Sequence, residues 1–109
     1  MINNATFQII GRIGKINALE NVTHISVASD RRVQENGTWV TKTDWNEVTL
    51  FSASDRKNFA NPNIGKVGNL MIFQGSIQPN VYERNGDKLY KTTLAAFDFQ
   101  VLAFAQDKE

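Results

Sequence analysis

The sequence predicts an all-β domain: a small closed barrel of five strands with one short helix and one long hairpin. Three observations lead there. Apolar–polar alternations recur along the chain, parted by glycine and asparagine turns. Gly11 and Gly14 interrupt the first alternation, and glycine inside a strand marks the bulge or bend that a small barrel needs. Only one segment reads as helix.

Taken in order, Phe7, Ile9, Ile10, Ile13 and Ile16 mark the first strand. The second runs from Val22 to Ser29, with Ile25 and Val27 inward and His24, Ser26 and Ala28 outward. A polar excursion, Asp30 to Thr38, turns at Asn36-Gly37 and leads into a third strand. Ser52 to Asn61 is the helix: Ser52 caps it, Asp55 supplies an acidic first turn, and Asn61-Pro62 ends it. Phe59 is its expected anchor in the barrel. Gly65 and Gly68 bracket a turn before Leu70–Gly75, a run apolar on both faces and hence a central strand. Asn80–Arg84 and Lys88–Leu94 form a hairpin extension around Asn85-Gly86, the strongest short hairpin signal in the chain. Phe97, Phe99 and Val101 alternate in a last strand. One domain over 1–104 and a short frayed C-terminus over 105–109 account for the chain, with no repeat or linker. Three strands, a helix, then a strand, a hairpin extension and a strand is the order of the five-stranded oligonucleotide-binding (OB) Greek-key barrel.

Composition narrows the function. There is no cysteine, which excludes disulfides and thiolate metal sites and agrees with a cytoplasmic location. Met1–Asn4 carries no leader pattern, and no apolar stretch approaches the length needed to span a bilayer, so no membrane partner is expected. The single histidine, His24, reads as a polar surface residue and excludes a multi-histidine metal cluster. Asp44 and Glu47 fall on opposite faces of a strand, unlike a catalytic pair, and no phosphate-cradling glycine loop occurs. The expectation is therefore a protein that is not an enzyme, with no cofactor, metal or small-molecule substrate. Net charge is only +1, so a polyanion would have to meet local concentrations of cations. Arg31-Arg32, Arg56-Lys57, and the trio Arg84, Lys88 and Lys91 are the clusters available.

The most telling segment is Thr43–Phe51. At a period of two, Val48 and Leu50 share one face, while Trp45, Glu47, Thr49 and Phe51 share the other. A half-buried strand normally gives its second face to polar groups. Flat rings presented there are what unpaired bases stack on. Judged on this strand alone, rings covered by a loop or by another subunit would look the same.

Four segments in order resemble the bacterial single-stranded DNA-binding proteins, over about Thr6 to Leu102. They are Phe7–Gly14 as the opening strand, Asp44–Phe51 as the acidic-Trp-x-x-Val-x-Leu-Phe signature, Gly68–Gly75 as the Gly-x-x-Val-x-Val-x-Gly strand, and Tyr82–Thr93 as the aromatic, Asn-Gly, Tyr-x-Thr hairpin. The resemblance implies sequence-independent binding of single-stranded DNA in replication, recombination or repair, by a homo-oligomer, tetramer or dimer. It implies that Trp45, Phe51 and Tyr82 stack bases; Trp39, just before the third strand, is not a consistent family position and is expected as an extra ring. Arg31, Arg32, Lys42, Arg84 and Lys88 would steer the backbone.

The chain departs from the family pattern in several places. Arg31-Arg32 replaces a common aromatic, Asn46 stands where His is frequent near subunit contacts, and Gln78-Pro79-Asn80 replaces a basic run. The flexible linker and acidic tip that recruit other proteins in many members do not follow the barrel in this sequence. The competing expectation is a primosomal-type OB adaptor that acts mainly through protein partners and binds DNA weakly.

Overall fold

The computed structural model describes residues 4–106. The readings made for Met1–Asn3 and for 107–109 lie outside them. Five strands and one helix follow in the order β1 (Thr6–Ala18), β2 (Thr23–Glu35), β3 (Thr38–Leu50), α1 (Ala53–Phe59), β4 (Leu70–Arg84) and β5 (Asp87–Ala103). The strands close into a barrel in the order β1-β2-β3-β5-β4, with β4 returning to β1. This is the all-β, OB-type architecture expected. All ladders are antiparallel except β3 with β5, which are parallel and joined only at Val48–Leu94 and Thr49–Ala95.

The interior is built from the inward positions of each strand. Ile13, Ile25, Val27, Val48, Leu50, Met71 and Phe73 are buried together with Phe59 and Ala96. Phe59 is the anchor that the helix was expected to supply. Its ring meets Phe99 edge-on at 5.6 Å and Phe73 at 6.3 Å, an arrangement that adds quadrupole attraction to area burial. The Ser52 hydroxyl accepts from the Asp55 amide at 3.3 Å and caps the helix as read.

Three features differ from the expectations. The polar excursion Asp30–Thr38 is not a loop: β2 continues to Glu35 and β3 begins at Thr38. Both faces of this arm meet solvent, so it carries no apolar alternation, and polar cross-strand pairs hold it instead. Thr43 donates to Asp30 at 2.7 Å, and Arg31 pairs with Asp44 at 2.8 Å. The hairpin extension is likewise not separate, being the outer ends of β4 and β5. Asn36-Gly37 and Asn85-Gly86 have positive φ at both residues, the geometry of tight hairpin turns.

The third difference concerns Phe97. The β4–β5 register passes from Gln74–Asp98 to Gly75–Ala96, leaving Phe97 as the extra residue of a bulge. Its ring is exposed, whereas Phe99 and Val101 pack on the core as read.

Candidate nucleic-acid interface

Strand alternation divides the polar and aromatic residues between two faces. With Val48 and Leu50 inside, the odd positions of β3 point outward: Trp45, Glu47, Thr49 and, beyond Trp45, Thr43, Thr41 and Trp39. Trp45 is 62% exposed, Trp39 58%, and Phe51, just past the strand, 49%. The three rings stand six residues apart, about 20 Å along an extended chain.

The same alternation runs through the partners. On β2 the outward residues are His24, Ser26, Ala28, Asp30 and Arg32, opposite Thr49, Glu47, Trp45, Thr43 and Thr41. On β5, Leu94 sits in register with Val48, so Lys91 and Thr93 face outward with the rings. Tyr82 pairs with Leu89 and Asn80 with Lys91, which puts Tyr82 on that face too. Asn80 donates to the Thr93 hydroxyl at 2.7 Å, a contact possible only if both lie on one side.

Beyond their two paired positions β3 and β5 splay apart. A groove of about 520 Å³ opens between them, lined by Trp45, Glu47 and Phe51 on one side and Lys91, Thr92 and Thr93 on the other. His24 and Thr49 lie at its base. His24 Nδ1 is 3.0 Å from Thr49 Oγ1 and 3.2 Å from Glu47 Oε1. The arrangement can seat a flat ring against indole or phenyl while offering its edges an acceptor, a donor and two hydroxyls.

The expected cations divide unequally. Arg32 is on the ring face, with its guanidinium 5.6 Å from the Trp39 ring centre, within cation–π range. Arg84, in register with Asp87 at the hairpin tip, is on that face as well. Arg31 and Lys42 point to the opposite face, where Arg31 pairs with Asp44 at 2.8 Å and Lys42 with Glu35 at 2.6 Å. Lys88, in register with Glu83, also faces away from the rings. Asp44 and Glu47 do lie on opposite faces.

Of the residues that line the groove, the sequence marks only Trp45 and Phe51 as site residues; Glu47, Lys91 and His24 are among those it misses. Lys91 appeared only as a member of a basic cluster, and His24 only as a surface residue. Counting alternation back from Leu94 places Lys91 on the ring face, but only the parallel β3–β5 register ties that face to Trp45.

A model of the Single-strand binding protein family matches residues 4–102. No curated protein matches the chain. Among solved structures, the mitochondrial single-stranded DNA-binding protein of S. cerevisiae is similar at 23% identity and a TM-score of 0.66, over 94% of this chain and 98% of its own. A Plasmodium falciparum single-stranded DNA-binding protein, solved in complex with single-stranded DNA, aligns at 20% identity and a TM-score of 0.70, over 94% and 97%. A small single-stranded DNA-binding protein from Streptomyces coelicolor aligns at 17% identity and 0.60, over 92% and 95%. At these identities the likeness establishes a shared fold.

Proposed function

The chain belongs to the single-strand binding protein family, and from that premise we propose that its barrel binds unpaired DNA through bases stacked on Trp45, Phe51 and Tyr82, with Trp39 extending the track. The observation that carries this reading is that Trp45 and Phe51 stand open on one face and flank the β3–β5 groove. Each stacked base contributes roughly 1–3 kcal/mol, whatever its identity. Several rings therefore retain a strand of any sequence, and a duplex, whose base faces are already covered, is refused.

Charge plays the smaller part. Net charge is +1, and two of the expected cations, Arg31 and Lys42, are engaged by acids on the far face. Arg32 and Arg84, joined by Lys91, hold phosphates beside the rings. Arg31, Lys42 and Lys88 act on the backbone only through the longer-range field. The binding unit spans residues 1–104, works in the cytoplasm as a homo-oligomer, and shields unpaired DNA in replication, recombination or repair. Catalysis is no part of this reading, since Asp44 and Glu47 face apart.

The test is a titration of intrinsic tryptophan fluorescence with a mixed-sequence single strand and with its duplex, at several salt concentrations. Quenching by the single strand alone, lost in the Trp45→Ala/Phe51→Ala double variant, supports the proposal. No quenching by either, with a protein partner bound instead, replaces it with the adaptor. Cleavage of the strand on adding a divalent metal replaces it with a nuclease.

A further inference from the structure

We infer that Glu47, held in place by His24, makes the β3–β5 groove prefer bases that carry an exocyclic amine over thymine. The inference rests on the reading of this groove as a base-binding site and deepens it.

Glu47 is one outward position from Trp45 and two from Phe51, so a base seated in the groove brings an edge to its carboxylate. That carboxylate is positioned by the imidazole of the neighbouring strand. His24 Nδ1 is 3.2 Å from Glu47 Oε1, and the backbone register sets His24 opposite Thr49 and Ser26 opposite Glu47. A lone pair on Nδ1 would repel the carboxylate at that distance, so the ring carries its proton there. Nδ1–H then donates to the Thr49 hydroxyl at 3.0 Å, and Glu47 Oε1, 3.2 Å from the same nitrogen, is drawn to its partial positive charge. The contact holds one carboxylate oxygen beside the imidazole and leaves the other for the groove.

An ionised carboxylate only accepts. Cytosine N4 and adenine N6 each present an amine at a corner of the base edge, and guanine presents its N2 amine beside N1–H. Thymine has a single ring N–H, recessed between two carbonyl oxygens that the carboxylate repels. Lys91 across the groove supplies a donor, but every base has an acceptor to meet it, so Lys91 does not discriminate. Glu47 is thus a specificity-determining residue and His24 its positioning residue.

The measurement is the affinity for short oligo-dC and oligo-dT of equal length, two pyrimidine strands, at neutral pH and one salt concentration. Wild type should favour oligo-dC by about fivefold, the lower end expected of one base-edge contact. Glu47→Gln, which can donate as well as accept, should tighten oligo-dT and bring the ratio towards one. His24→Ala should lower the ratio by releasing the carboxylate, with a thermal melt confirming that the barrel is intact. Equal wild-type affinities overturn the inference while leaving single-strand binding in place. So does a ratio unchanged in Glu47→Gln with both affinities raised, since loss of repulsion would then be the whole effect. If neither strand binds wild type, the single-strand reading itself fails, and this one with it.

Discussion

Trp45 lies across Gly14. The indole leaves β3, passes over its cross-strand neighbour Ala28, and covers the backbone of β1 where the register slips between Ile13 and Lys15. A Cβ on Gly14 would fall 2.5 Å from the indole Cη2 and closer still to Cζ3. A glycine on the first strand therefore lets a ring from the third lie down as a platform instead of standing up into solvent.

Gly14→Ala tests that relationship. The methyl must lift the indole, since the atoms it meets belong to a rigid ring rather than to the far end of a flexible chain. Single-strand affinity should fall by roughly 1–3 kcal/mol, the worth of one stack. The melting temperature should change little, because the position is exposed and its φ is not positive. Fluorescence titration and a thermal melt, run together, separate the two effects.

The division of cations between faces predicts a difference in salt dependence. Lys91→Ala should flatten the slope of log affinity against log salt by about 0.7, the value for one phosphate contact on a single strand. Lys42→Ala, whose ammonium pairs with Glu35 on the far side of the arm, should leave the slope nearly unchanged. Titrations at four or five salt concentrations would show it. Equal slopes in the two variants would mean that DNA wraps both sides of the arm.

Tyr82 and Tyr90 offer a similar contrast on the hairpin. Tyr90 is the more exposed, at 76% against 46%. Yet Tyr90 is in register with Val81, one position from Tyr82, and so points the other way. Tyr82→Ala should weaken single-strand binding by about 1 kcal/mol or more, and Tyr90→Ala should not. Exposure by itself would rank them in reverse.

Phe59→Ala should destabilise the barrel by roughly 3–5 kcal/mol, the usual cost of emptying a buried aromatic site. It removes the ring that Phe73 and Phe99 both meet. Denaturant unfolding with an unchanged slope on denaturant concentration would report that loss as one of stability alone.

Much of this was legible in the order of residues. The five strands, the Ser52 cap, the Phe59 anchor, both Asn-Gly turns and the outward set Trp45, Glu47, Thr49 and Phe51 all follow from local rules. Alternation, capping and turn chemistry depend on neighbours a few residues apart, and a sequence displays those directly. The Asp30–Thr38 arm was read as an excursion because a ribbon wet on both faces has no alternation to show. Phe97 was read as an ordinary strand residue because a bulge flips a side chain without altering the pattern of letters.

The remainder belonged to the tertiary structure. A basic residue in the sequence carries no mark of the face it will occupy or the acid it will meet, so Arg31 and Lys42 looked equivalent to Arg32 until the β2–β3 register separated them. Lys91 reaches Trp45 only because β5 runs parallel to β3 for two residues and then diverges, and His24 joins the same groove through the β2–β3 register. Such adjacency is set by barrel closure between segments dozens of residues apart, where no short-range preference acts. The chain alone determined that Trp45 and Phe51 face outward; closure decided what surrounds them.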